Sequence, residues 1–277
     1  MSRRTTGLAT VFSLLLAVTL GGIILHQLTG YDYPASKALA YEMNVIGDLY
    51  EAFILVPLGV IGLVALRRGS PWGPILIGGV AATQTYNYAL AATGIQNLWI
   101  FLYTVKLALG GLSLCLVWGH LPLGERLPAR SRPAMAWYLG VLMLLFGALM
   151  GRRLWASAMG DTMEMTMQVR GPVDWSEPIT RDPIIFFAFA APLFISACLG
   201  LWRKESWGSR AATLANTFMV NMVIMILMTG PVKELLQTGA FSPGMVPISI
   251  LFIATASPAV WALVRLAKAT VEEPYVS

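Results

Sequence analysis

The sequence predicts an all-α integral membrane bundle of about eight transmembrane helices, built as two parallel four-helix repeats. Three observations predict it. Of the 277 residues, 57% are hydrophobic and only 12% charged, whereas a soluble domain is about 45–50% apolar and about 25% charged. The apolar residues fall into long continuous runs without period-two alternation, which favours helices over a barrel. Two segments also match at a constant offset of 135 positions. The composition excludes an ordinary soluble enzyme, a disordered tail and a collagen-like rod.

A span needs about 20 mostly apolar residues, and eight segments qualify, at roughly 7–29, 45–66, 73–95, 97–118, 134–156, 183–202, 210–235 and 245–267. Arg3 and Arg4 ahead of the first span could be the n-region of a signal peptide, and Ala38-Leu39-Ala40 resembles a cleavage site. The apolar run exceeds the usual h-region of about 7–15 residues, so the span is expected to be retained.

Basic residues set the orientation. Arg3, Arg4, Arg67, Arg68, Arg126, Arg130, Arg132, Arg203, Lys204, Arg210, Arg265 and Lys268 fall on one side, 12 cations against four acids. The opposite side carries six cations against ten acids. Both termini are therefore expected to be cytoplasmic. The net charge of +5 is then a topology signal and not a nucleic-acid footprint.

Residues 56–73 read VPLGVIGLVALRRGSPWG and residues 191–208 read APLFISACLGLWRKESWG. Pro57, Leu58, Arg68, Trp72 and Gly73 match Pro192, Leu193, Arg203, Trp207 and Gly208. Inner loops commonly hold basic residues and an interfacial Trp, but that does not explain the shared Pro-Leu spacing. The expected division is a first repeat over 1–121, a cytoplasmic junction over 122–133, and a second repeat over 134–277 with an outer cap loop at 157–182. An even number of spans per repeat gives parallel halves, with a pseudo-two-fold axis along the membrane normal.

Ionisable groups within a span cost about 2.5–3.5 kcal/mol on insertion scales and usually face the bundle interior or a cavity. They are the best site markers here. Asp48 and Glu51 share one face of span two by their i, i+3 spacing. Lys106 lies deep in span four, and Tyr86, Asn87 and Tyr88 sit at similar depth on span three. The expected substrate-binding cluster is Asp48, Glu51, Tyr86, Asn87 and Lys106, opening toward the outer side. A structural ion pair that only positions helices is the competing reading, with Asp48 as a simple helix cap. Glu51 falls opposite Phe186 in the second repeat, and Lys106 has no basic counterpart in span eight. Specialisation of one half for a site would produce that asymmetry, and so would drift.

A secondary group, Arg152, Arg153, Lys233 and Glu234, marks the outer ends of spans five and seven. Gly230-Pro231 should break span seven just before Lys233, as at transport sites. Charges reaching out to interfacial water are the alternative. Met163, Met165 and Met167 alternate in the outer loop, and Met219, Met222, Met225 and Met228 recur every third residue on span seven. Thioethers favour Cu(I). A step of three residues drifts about 60° per interval on a 3.6-residue helix, so the second set makes no ladder and reads as packing. His26 reads as interfacial. Gly78-Gly79 and Gly110-Gly111 read as close helix packing. Cys115 and Cys198 supply no disulfide framework. No zinc-protease, phosphate-loop or nucleophile-elbow motif is present, and the sequence names no metal or cofactor.

The segment VPLGVIGLVALRRGSPWGPILIGGVAATQTYNYALAATG has Asn44 and Asp48 upstream and LYTVKLALGGLSL downstream. It resembles a group of bacterial multi-pass inner-membrane proteins that carry an arginine-rich turn and a Tyr-Asn-Tyr-like motif on the next span. APLFISACLGLWRKESWG is similar to their second half. The resemblance covers residues 44–118 and 182–230. It implies a bacterial inner-membrane location and no particular activity. Lys106 departs from the apolar residue usual there.

The functional expectation is a small-solute or ion transporter, or a solute-binding membrane protein. A membrane accessory or assembly subunit is the alternative, and a membrane-embedded enzyme the third reading, since no nucleophile–base–orienter set is visible. The partners implied are the lipid bilayer, a small solute or ion, and a protein partner or second copy, with no nucleic acid.

Overall fold

The computed structural model describes residues 3–29, 45–92, 99–124, 127–160, 162–164, 167–169, 178–228, 235, 239 and 245–271. Among these described residues there are eight long helices. They are α1 (Arg3–Thr29), α2 (Val45–Arg67), α3 (Trp72–Ala92), α4 (Trp99–Trp118), α5 (Ser131–Ala158), α6 (the stacked segments Pro178–Ile185, Phe186–Ala190 and Ala191–Trp202), α7 (Ser206–Leu227) and α8 (Met245–Val271). Seven are long and apolar enough to cross a membrane, which makes the chain a multi-pass membrane protein.

The eighth, α3, which the sequence counts as a span at 73–95, is not among those seven. It carries Thr83, Gln84, Thr85, Tyr86, Asn87 and Tyr88 in succession. It packs against α2, α4 and α7 and touches α6 and α8. Most of its surface meets protein instead of solvent, so it tolerates polar residues that a lipid-facing helix would not. The expected outer loop 157–182 is partly structured. A hairpin pairs β1 (Thr162–Glu164) with β2 (Met167–Val169), antiparallel, with Met163 opposite Gln168 and Met167 opposite Glu164. Met165 lies outside the described residues.

Each run of four helices has its own contacts and core. In the first, α1 packs on α2 and α4, and α3 packs on α2 and α4. In the second, α5 packs on α6 and α8, and α7 packs on α6 and α8. One apolar cluster is built mainly from α1–α4 (Phe12, Leu15, Leu55, Ile77) and another mainly from α5–α8 (Leu139, Phe194, Phe218, Leu266). The runs meet where α3 crosses α7. A Cβ on Gly78 would lie 2.7 Å from Leu214 and one on Gly79 2.6 Å from Thr217, so these glycines permit the crossing. Asn221 Nδ2 donates to Thr83 Oγ1 (3.1 Å), and the Tyr50 hydroxyl donates to the Asn221 carbonyl (3.0 Å). Gly110 likewise admits Thr85, whereas Gly111 has open space around it. Met219 and Met222 pack in the second core, and Met225 and Met228 against the first.

The segments matched at offset 135 have the same local structure. Glu51–Leu55 and Phe186–Ala190 are both π-helical, each followed by an α segment, Val56–Arg67 and Ala191–Trp202. Pro57 and Pro192 explain this. Each lacks an N–H, and its ring would press on the carbonyl four residues back, of Phe53 or Ala188. Widening the preceding turn to i→i+5 relieves that clash. Both segments end in the same reversal. Ser70 N–H donates to Ala65 O (2.9 Å) and Gly69 N–H to Leu66 O (3.1 Å); Glu205 N–H donates to Gly200 O (2.9 Å) and Lys204 N–H to Leu201 O (3.2 Å). This is a Schellman cap, whose pivot adopts a left-handed backbone. The pivots are Gly69 (φ 70°) and Lys204 (φ 60°). Glycine takes that conformation freely, while an L-residue pays about 1–2 kcal/mol. The Trp-Gly pairs follow from close approach. A Cβ on Gly73 would sit 2.4 Å from Leu66 N, and one on Gly208 2.2 Å from the Gly200 carbonyl carbon.

The basic segments gather at one end of the bundle. Arg132 at the start of α5 donates to the carbonyls of Gly124 (2.7 Å) and Lys204 (3.5 Å), and Thr5 on α1 meets His120 beyond α4 at 3.5 Å.

Candidate functional site

At the opposite end, all four helices of the first run supply one buried polar network. From α1 comes His26, from α2 Asp48 and Glu51, from α3 Tyr88, and from α4 Tyr103 and Lys106. Lys106 is about seven residues inside α4, or about 10 Å at 1.5 Å per residue. Its stem runs past Gly22 of α1, where a Cβ would come within 3.0 Å of Nζ. Glycine at that position makes the room.

Lys106 is 0% exposed. Its ammonium lies 3.4 Å from Glu51 Oε2 and donates to the Tyr88 hydroxyl at 2.5 Å. The Tyr88 hydroxyl in turn donates to Glu51 Oε1. Tyr88 therefore bridges the pair, accepting from the cation and donating to the carboxylate. Alongside, His26 Nδ1 lies 2.8 Å from Asp48 Oδ2, and His26 Nε2 lies 3.0 Å from the Tyr103 hydroxyl. The Tyr103 ring stacks on Tyr88 with centroids 5.5 Å apart, which joins the two pairs. Trp99 covers the imidazole at 4.2 Å between centroids.

Asp48, Glu51 and Lys106 thus converge as their spacing suggests. Tyr86 and Asn87 do not join them. Residues two apart on a helix differ by about 200°, so when Tyr88 faces α2 and α4, Tyr86 faces the second run. Its hydroxyl donates to Asp182 on α6. Asn87, between them, is half-buried. Sequence reasoning misses His26, taking it as interfacial because it ends a span. It is buried. Its only sequence signal is a titratable ring within a turn of a lipid-embedded segment.

Of the secondary group, Arg153 and Arg152 part company. Arg152 is exposed. Arg153 is 7% exposed and donates to Asp182 Oδ2 at 2.9 Å, so it is a paired buried cation and not one reaching water. Lys233, Glu234 and the Gly230-Pro231 break lie outside the described residues; α7 itself runs to Leu227. Arg153–Asp182 joins α5 to α6 as His26–Asp48 joins α1 to α2, a basic group on the first helix of each run clamped to an acid near the start of the second.

The chemistry open to the network follows from its charges. Asp48 and Glu51 supply two carboxyl groups against the one lysine, with the His26 imidazole beside Asp48. The Tyr103 hydroxyl can donate to a neutral imidazole or accept from an imidazolium. Toward the basic end a second buried polar layer follows, where Thr19 of α1 donates to Gln84 Oε1 of α3 (3.1 Å) and Ser113 of α4 is buried too, and beyond it Leu8, Phe12 and Leu15 on α1 and Val117 on α4 are buried. Among the described residues no group of three or more His, Cys, Asp or Glu could hold a metal ion. Comparison with protein-family models, with curated proteins and with solved structures finds no match to this chain.

Proposed function

We propose that the chain is a small-solute or ion transporter, or a solute-binding membrane protein, of a bacterial cytoplasmic membrane, and that its polar network takes up one proton or one small monovalent cation. The observation that carries this reading is the gathering of two buried carboxyl side chains, Asp48 and Glu51, with a single lysine and a His26–Tyr103 pair. Ionisable groups buried in a span are costly unless paired, and a site with two acids for one lysine suits a small cation.

The location and both cytoplasmic termini are part of the proposal, supported by the basic turns gathered at one end. So is the origin of the chain by duplication. The π segments, Schellman reversals and Trp-Gly contacts shared at one constant offset support it, and so do the acid–base clamps between the first two helices of each run. The resemblance to bacterial multi-pass proteins with an arginine-rich turn belongs to the same reading.

One observation favours a second reading, a membrane accessory subunit whose charges lock helices together: Glu51, Lys106, His26 and Asp48 all have partners and all are buried. Purified protein in liposomes holding a pH-sensitive dye, challenged with a panel of small solutes, separates the two. Transport predicts solute-driven proton movement that Glu51→Gln abolishes at equal incorporation. A lock predicts no such movement in either protein, with Glu51→Gln lowering abundance instead.

A further inference from the structure

At the basic end, on the perimeter between α5 and α6, lies a cleft of about 350 Å³ lined by Leu127, Ala129, Arg132, Pro133, Leu201, Trp202 and Lys204. Two of the lining residues are cations and none is an acid. It does not touch the polar network. We propose that this cleft is a binding site for an anionic glycerophospholipid of the adjacent leaflet, with the phosphate between Lys204 and Arg132 and an acyl chain descending the seam between α5 and α6.

The seam is shaped for a chain. Trp137 at the top of α5 and Trp202 at the end of α6 are 65% and 61% exposed, and their rings meet edge to face at 6.1 Å. Such amphipathic rings belong at the headgroup level. Below them, Val141 and Leu144 continue one exposed apolar stripe at helical spacing on α5, and Leu199 and Ile195 continue the facing stripe on α6. A soluble anion would use the two cations but none of this apolar track. A neutral lipid would use the track but not the cations.

Lys204 carries an independent argument. The same pivot of the other reversal is Gly69, which suits the left-handed backbone; here a lysine is held at φ 60°. A side chain kept in an unfavourable backbone conformation points to a use for that side chain. The strain belongs to the cap, and Lys204 also lines the cleft.

The test uses full-length protein in an uncharged detergent doped with phosphatidylglycerol or phosphatidylcholine. Bound lipid is counted by native mass spectrometry and Tm is followed in parallel. The expected result is tighter retention of phosphatidylglycerol. Lys204→Gly should weaken that retention about fivefold, the effect of one surface cation on an anionic lipid. It should leave Tm without lipid unchanged or raised, because glycine relieves the pivot. Lys204→Arg should keep the preference. Equal retention of the two lipids overturns the proposal, as does undiminished phosphatidylglycerol binding by Lys204→Gly. Inorganic phosphate alone displacing the lipid overturns the lipid source and leaves an anion site. A lower Tm of lipid-free Lys204→Gly overturns the argument from the backbone.

Discussion

Lys106 places an ammonium group where no surface is exposed, and what makes it tolerable is the Glu51–Tyr88 pair in contact with it. Taking one partner from a buried ion pair strands the other, at about 3–5 kcal/mol, while replacing both with apolar groups is often neutral or favourable. Lys106→Met alone should therefore lower stability by about 3–5 kcal/mol, read as a fall in Tm of the detergent-solubilised protein. An unchanged Tm would mean the carboxylate is served by something other than Lys106. At this scale the sequence was legible where residue type alone is informative. Acids and a lysine inside apolar runs are rare enough to mark a site. It was not legible where helix rotation decides. Tyr86 and Tyr88 are equivalent in the sequence, and only the packing of α3 against α2, α4 and α7 assigns one to each side. His26 was missed for a related reason, since its partners come from α2 and α4.

At the scale of elements, the two helix–turn–helix segments show why Pro-Leu and Trp-Gly recur. Proline at 57 and 192 widens the preceding turn, and glycine at 73 and 208 lets the next helix start against the backbone it has just left. Gly208→Ala should cost about 1–3 kcal/mol, the usual range for overpacking. Gly111→Ala, into open space on α4, should instead be neutral or stabilise by about 0.5–1 kcal/mol, as removal of a mid-helix glycine does. Thermal melts of the two variants side by side check this, and similar losses in both would refute the close-approach argument. The repeated letters were visible in the sequence. Their mechanical meaning was not, because a π turn depends on which carbonyl a ring would strike. All eight helices were legible as mostly apolar runs, seven of them apolar enough to cross a membrane, while the polarity of α3 is explained only by its place between other helices.

At the scale of the molecule, two four-helix runs carry similar acid–base clamps but differ in what lies beside them. The first holds the Lys106 network and the second holds Arg153–Asp182 with Tyr86 reaching over from α3. Under the proposed function, proton or cation uptake belongs to the first run and bracing between the runs to the second. The pair His26→Gln with Asp48→Asn tests that division most directly, because it removes the imidazole and the acid beside it together while leaving the Glu51–Tyr88–Lys106 contacts in place. Reconstituted at equal density, the double variant should keep the wild-type Tm to within a few degrees and lose all solute-driven proton movement. Proton movement equal to wild type in a folded double variant would contradict the assignment of uptake to this network.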